Sequence, residues 1–166
     1  MLSLYFSNRS ARNYFFVTWR MLHDDQTWNT VEERSKAARR IEDIFSGEPY
    51  QCAGYVLFAD HVHMVVGVPE NESLDLLMHR FEREMTMLNP LTLNIIHFRP
   101  SFLSYPLQDS EDIEVAQQYL VQNPAKHGLK DSGFVLKLFA LDTVSLQAGE
   151  AKKTSLHQDD ALAKLA

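Results

Sequence analysis

Two apolar runs rich in β-branched and aromatic residues occupy positions 54–69 and meet at a short break, Ala59-Asp60. This pattern predicts a β-hairpin, or two strands joined by a very short turn. The second strand begins with His61 and His63 on either side of a valine. Because successive side chains of a strand point to opposite faces, the two imidazoles share one face and the alternating apolar residues share the other. The hairpin therefore defines the core face and places both histidines on the far face.

Two imidazoles on one face of a strand indicate a metal or catalytic site. Neutral imidazole is the commonest side-chain ligand of transition metals, and a strand holds two of them as a preformed half-site. The same pair also fits two ordinary histidines on a half-exposed strand. The hairpin alone leaves both interpretations open. A further ligand or catalytic residue elsewhere in the chain is needed to decide between them.

The chain of 166 residues fits one domain with a tail, and its hydrophobic content of 45% is enough for a core. Its 16 basic and 22 acidic residues give a net charge of −6, which argues against a nucleic-acid role except through a local basic patch. A single cysteine, Cys52, excludes a disulfide framework within the chain. No signal peptide or membrane-spanning run is evident, so we expect a cytoplasmic protein.

The first third of the chain predicts a strand and then a helix. Positions 13–20 are aromatic and β-branched on both faces, as in a central strand. Positions 27–45 have apolar residues at helical spacing, and Thr30 with Glu33 matches a capping box. Basic residues on this helix alternate with acidic ones, which is typical of a solvated face.

The middle of the chain predicts a second helix over positions 74–88, with Ser73 as its N-cap. Its apolar stripe should pack on the core face of the hairpin. A short strand is expected at 93–98, followed by a loop over 100–109 that contains two prolines.

A third helix is predicted over positions 111–123, ending where Pro124 disfavours helical geometry for the preceding residue. It carries Tyr119 and, four residues later, Asn123, so a phenol and a carboxamide share one face at the helix end. The resulting order is β-α-β-β-α-β-α. We expect residues 1–12 to be flexible, 13–140 to form the domain, and 141–166 to be a loose helix or a disordered tail.

Taken in order, the first strand, the His61-Val62-His63 hairpin, the amphipathic helix and the segment Tyr119-Leu-Val-Gln-Asn-Pro-Ala-Lys-His-Gly-Leu129 resemble the HUH single-tyrosine transposases. The similarity is greatest to the REP-associated branch and covers roughly residues 13–130. In that family two histidines flank a bulky hydrophobic residue, and a helical tyrosine is followed by Asn and Pro, as here. The family usually has Met-Pro-Asn before the first histidine, where this chain has Phe-Ala-Asp, and its Trp-rich loops are missing.

The resemblance implies an α+β, ferredoxin-like sandwich with a central antiparallel sheet. Helices would pack on one face and the active site would lie on the other. The predicted element order agrees with this fold.

The resemblance also implies metal-dependent nicking and strand transfer of single-stranded DNA through a 5′-phosphotyrosine. Tyr119 would be the nucleophile, and His61, His63 and Asn123 would hold Mg²⁺ or Mn²⁺. The DNA would be a hairpin or palindromic repeat, bound by a monomer or homodimer. Four basic residues are candidates for contacts with the DNA backbone: Arg80, Arg83, Lys126 and Lys130.

Two other functions fit parts of the pattern. A non-enzymatic or domesticated DNA-binding relative would keep the fold without the reaction. A cupin-like metal enzyme would also use His-x-His, but it needs a Glu a few residues later, and the first Glu after His63 is Glu70.

Overall fold

The computed structural model describes residues 11–22, 28–47, 49–86, 98–129 and 133–140. The predicted order of helices and strands is present, but the fourth strand forms in the segment predicted as a loop, and one additional strand follows at the end. The elements are β1 (Arg12–Arg20), α1 (Val31–Phe45), β2 (Gln51–Leu57), β3 (His61–Pro69), α2 (Leu74–Thr86), β4 (Leu103–Leu107), α3 (Ser110–Lys126) and β5 (Val135–Leu138).

All strand pairs are antiparallel, and the strands lie in the order β4-β1-β3-β2-β5. The first four follow the ferredoxin-like order, and β5 extends the sheet beyond β2. The expected α+β ferredoxin-like fold is therefore confirmed. In the part of the chain that the structure describes, no helix is long and apolar enough to cross a bilayer.

The face of the hairpin that packs in the core is the one predicted from the alternation of side chains along β3. Val62, Met64 and Val66 of β3 belong to one buried cluster with Leu77 and Phe81 of α2. The N-cap of α1 is also as predicted, because the Thr30 hydroxyl accepts from the Glu33 N–H and the Glu33 carboxylate accepts from the Thr30 N–H. Helices α1 and α2 thus cover one face of the sheet.

The opposite face is covered by α3. Ile113, Ala116 and Leu120 pack there against Phe16 of β1 and Val65 of β3. Strand β3 is consequently buried along its whole length, on both faces. The strand is therefore not half-exposed, as the alternative of two ordinary histidines assumed, and both imidazoles are buried.

Two sequence-based boundaries are wrong. The segment predicted as a loop over 100–109 contains β4, whose Pro106 is tolerated because β4 is an edge strand. Helix α3 continues through Pro124 to Lys126 instead of ending near Asn123. Its last turn is held by backbone hydrogen bonds from His127 N–H to the Asn123 carbonyl and from Leu129 N–H to the Pro124 carbonyl.

Three predicted segments lie largely outside the described residues, as do Lys130 and the last two positions, 87–88, of the predicted second helix. The three segments are the strand over 93–98, apart from Phe98, the flexible segment 1–12, apart from its last two residues, and the tail 141–166. Strand β5 was not predicted, since its four residues carry little periodic signal and are recognised only by their pairing with β2.

Candidate metal and nucleophile site

The pairing of β1 with β3 places residues of β1 directly next to His61 and His63. Thr18 faces His63 across the strand pair, and Arg20 faces His61. The Thr18 hydroxyl oxygen lies 2.7 Å from Nδ1 of His63, and both side chains are buried. When His63 donates from Nδ1 to this oxygen, its Nε2 carries the free lone pair. The register of the two strands therefore orients the His63 ring.

The orientation of His61 comes from its neighbour in the turn. Nδ1 of His61 lies 2.6 Å from a carboxylate oxygen of Asp60. A carboxylate only accepts, so Nδ1 carries the hydrogen and Nε2 is left with a lone pair. Nε2 of His61 is buried and has no hydrogen-bond partner. A buried polar atom without a protein partner is rare in folded proteins, and this nitrogen is free to bind a ligand.

Burial keeps both imidazoles neutral. It lowers the pKa of His63 to about 3, and the proximity of His61, His127 and Arg20 further disfavours protonation of this ring. Burial also lowers the pKa of His61, although the hydrogen bond with Asp60 opposes that shift. Neutral imidazole is the form that binds metals, so both side chains are ready to act as ligands over the physiological pH range.

Tyr119 of α3 packs directly on His63. Its ring meets the His63 ring edge to face at a centroid distance of 5.9 Å and the Phe16 ring at 5.4 Å. The side chain is only 4% exposed. Burial raises the pKa of the Tyr119 phenol, while a hydrogen bond from Asn123 and the charge of Arg20 act in the opposite direction. The phenol is thus held as a neutral hydroxyl, and its ring lies against the His63 imidazole.

Asn123 lies one turn beyond Tyr119 and is 1% exposed. Its side-chain carbonyl oxygen, Oδ1, has no hydrogen-bond partner. Among the described residues, the buried side-chain atoms without a partner are this oxygen and Nε2 of His61. Both belong to residues that the sequence predicts as metal ligands. The donor set therefore fits a divalent cation, and the fit rests on these two unpartnered atoms.

A further imidazole reaches the same place. Ring nitrogens of His61, His63 and His127 all lie within 4.8 Å of one another, and His127 is the exposed member. His127 follows the last residue of α3 and caps the helix. The sequence analysis did not single it out, although its position four residues after Asn123 places it on the same side of a helix that continues through Pro124.

The predicted DNA-contacting residues are divided between two faces. The Lys126 ammonium lies 4.4 Å from the centroid of the Tyr119 ring. Arg80 and Arg83 lie on α2, which covers the other face of the sheet. Lys130 falls outside the described residues. The structure therefore brings Lys126 to the Tyr119 ring and leaves Arg80 and Arg83 on the far side.

Thr18, Arg20 and Asp60 were also missed as site residues. Asp60 precedes His61 directly, so the sequence carried a signal for a carboxylate that orients the imidazole. Thr18 and Arg20 gave no such signal, because their proximity depends on the register of two strands that are distant in the chain.

No protein-family model and no curated protein matches this chain. Its structure is similar to that of a REP-associated tyrosine transposase bound to a REP hairpin, with a TM-score of 0.57 and 17% sequence identity. That match covers 86% of this chain and 93% of the other. A candidate transposase from Deinococcus radiodurans matches with a TM-score of 0.49 and 16% identity, over 68% of this chain and 90% of the other. The first similarity confirms, at the level of the fold, the resemblance inferred from the sequence.

Proposed function

We propose that the chain cuts and rejoins single-stranded DNA through a covalent bond to Tyr119, as in DNA transposition. The observation that carries this proposal is the contact between the buried Tyr119 ring and the His63 ring, beside the unpartnered Oδ1 of Asn123. A packed core has no need for a phenol, two imidazoles and a carboxamide gathered on one face. Phosphoryl transfer needs a nucleophile held in place and neutralisation of phosphate charge.

His61, His63 and Asn123 are the residues that would hold Mg²⁺ or Mn²⁺. A bound cation would supply positive charge that stabilises the phenolate and the phosphate oxygens. Thr18 and Asp60 orient the two imidazoles from behind, as partners of metal-binding histidines commonly do. The Asn123 carboxamide also opposes the burial-induced rise in the Tyr119 pKa, so it acts on the proposed nucleophile as well as being a proposed ligand.

In the proposed reaction the Tyr119 phenol loses its proton to solvent and its oxygen attacks the scissile phosphorus. The bond between phosphorus and the 3′ oxygen breaks, and that oxygen takes up a proton to become a 3′ hydroxyl. The 5′ phosphate remains on Tyr119 as a phosphotyrosine. Attack of a 3′ hydroxyl on this linkage reverses the step and joins strands without another energy source.

The proposed DNA is a single strand that contains a hairpin or palindromic repeat. Two observations support this choice: a REP hairpin is bound in the first comparison structure, and basic Lys126 and Arg20 flank Tyr119. Arg80, Arg83 and Lys130 remain proposed contacts. Arg80 and Arg83, on α2, would contact the DNA only where the bound DNA strand extends around to the other face of the β-sheet.

The test is a covalent adduct between the protein and labelled single-stranded hairpin DNA in Mn²⁺, resolved on a denaturing gel. We expect an adduct with wild type and none with Tyr119→Phe, which removes a single oxygen. Tyr105→Phe is the matched control, because Tyr105 lies on the same face of the sheet and packs against the same cluster. An adduct that persists in Tyr119→Phe would contradict the assignment of the nucleophile.

The alternative is a DNA-binding relative that keeps the fold without the reaction. Hairpin binding with no adduct, on any repeat sequence from the native locus, would support this alternative over the transposase. The same gel and a binding assay on the same DNA therefore separate the two functions.

A further inference from the structure

The end of α3 brings a third imidazole to the proposed metal site. We propose that His127 is a ligand of the same ion as His61 and His63, and that the three imidazoles make the site select a first-row transition metal over Mg²⁺. This inference rests on the proposed function for the existence of the metal, and it adds a ligand and a metal preference.

The position of His127 is determined by the way α3 ends. Gly128 follows it with a φ of +65°, a left-handed conformation that glycine adopts without strain. The N–H of Gly128 bonds to the Ala125 carbonyl, and the N–H of His127 bonds to the Asn123 carbonyl. These bonds close the last turn around a proline that cannot donate. The backbone that carries His127 is therefore held by the helix end, although the imidazole itself is exposed.

The rings form a continuous group. The centroid of His61 is 4.9 Å from that of His63 and 5.4 Å from that of His127. Phe58 packs against His127 at 5.0 Å and stacks on His61 at 4.6 Å. One aromatic side chain thus contacts both His61, on β3, and His127, at the end of α3.

The three nitrogens are close enough for one ion after a small adjustment. Two nitrogens bound to one ion lie at most about 4.2 Å apart, since each bond is about 2.1 Å long. The observed limit is 4.8 Å, and the exposed His127 side chain has room to move. A cavity of about 410 Å³ borders His61 and His127, so the space next to them is open to solvent and to a substrate phosphate.

The chemistry of the ligands determines which metal ion the site prefers. Imidazole suits transition metals, whereas Mg²⁺ prefers oxygen ligands and keeps several of its waters. A site with two imidazoles and one carboxamide oxygen is compatible with either class. A third imidazole shifts the balance toward the transition metals, because it replaces an oxygen position that Mg²⁺ would use.

The test measures metal binding by the full chain, without DNA. After removal of metal with a chelator, calorimetry is run with MnCl₂ and with MgCl₂ on wild type, His127→Ala and His79→Ala. His79 is the matched control, since it is an exposed histidine on α2, at the other face of the sheet. Pulsed electron paramagnetic resonance on the Mn²⁺-loaded samples counts the imidazole nitrogens bound to the ion.

We expect wild type to bind Mn²⁺ at least ten-fold more tightly than Mg²⁺, with three imidazoles on the ion. Loss of His127 should weaken Mn²⁺ binding by roughly ten-fold or more, which is the lower range seen for losing a supporting residue of a metal site. It should leave two imidazoles and little change in Mg²⁺ affinity, and His79→Ala should behave as wild type.

Equal Mn²⁺ affinity in wild type and His127→Ala, with two imidazoles in both, would overturn this inference and leave the proposed metal site intact. A His61→Ala/His63→Ala variant separates the two failures. If that variant also binds Mn²⁺ as wild type does, the metal site itself is wrong, and this inference fails with it.

Discussion

The Thr18 hydroxyl lies 2.7 Å from Nδ1 of His63, across the pair of strands in which these two residues face each other. This contact joins the first strand of the sheet to the proposed catalytic centre. It occupies one ring nitrogen of His63, Nδ1, and leaves the other, Nε2, available as a ligand atom. The orientation of a ligand thus depends on a residue more than forty positions earlier in the chain.

We predict that Thr18→Val weakens both folding and metal binding. Valine keeps the shape of the side chain but leaves the buried Nδ1 without a partner, which should cost about 1–3 kcal/mol in the free energy of unfolding. Mn²⁺ affinity should fall by roughly ten- to a hundred-fold, because the ring is no longer held. Denaturant titration and calorimetry measure the two effects. Thr18→Ser keeps the hydroxyl and should retain most of the affinity, and a Thr18→Val protein that binds Mn²⁺ normally would contradict this role.

Asn123→Asp should lower the stability of the metal-free protein and raise the affinity for the metal. A carboxylate in place of the unpartnered Oδ1 is a buried charge without compensation, so the melting temperature without metal should fall. Saturating Mn²⁺ should raise the melting temperature by more than it does in wild type, since the ion then meets a charged ligand. Gln118→Glu makes the same change at an exposed position of α3 and should show neither effect. An equal Mn²⁺-induced rise in wild type and Asn123→Asp would place Oδ1 away from the ion.

Lys126→Met should lower the salt dependence of DNA binding. Methionine keeps an unbranched side chain over the Tyr119 ring but removes the charge. If Lys126 contacts one phosphate, the slope of log affinity against log salt should decrease by about one unit. Fluorescence anisotropy with a labelled single-stranded hairpin at several salt concentrations gives this slope.

The same measurement on an Arg80→Met/Arg83→Met double variant tests the prediction for α2. A lower slope would support DNA contacts on that helix. An unchanged slope there, with a lower slope in Lys126→Met, would confine the bound strand to the face that carries Tyr119.

Cys52 should be almost unreactive in the folded protein. Burial raises the pKa of its thiol to about 12, so little thiolate exists near neutral pH. The unfolded chain carries an ordinary thiol, which ionises from about pH 8.5 upward. The folded state therefore binds the extra proton above that pH, and its stability decreases as the pH rises toward 12.

We expect Cys52→Ala to lack this contribution, which amounts to at most about 1.4 kcal/mol per pH unit in that window. Denaturant titrations of both proteins between pH 8 and pH 11 give the difference, so that shared effects of tyrosine ionisation cancel. Rapid modification of Cys52 by a thiol reagent at pH 8, without denaturant, would disagree with the buried position.

Much of the architecture followed from local patterns. The period of two in β3 predicted the core face and the shared face of His61 and His63, because a strand alternates its side chains whatever surrounds it. The Thr30 and Glu33 capping box predicted the start of α1 for the same reason, since it acts within one turn. The four-residue spacing of Tyr119 and Asn123 predicted that they lie together on α3.

Other features depended on contacts between segments distant in the chain. The β4 strand contains a proline and forms only because β1 offers an edge for pairing. The burial of both imidazoles required α3 to cover their face, and the contact between Thr18 and His63 required one particular strand register. The path of α3 through Pro124 to His127 depended on the hydrogen bonds of the last turn, which outweigh the local preference of the residue before proline. Spacing along the chain determined which side chains share a face, whereas tertiary packing decided which faces meet, because only the folded chain brings distant segments into contact.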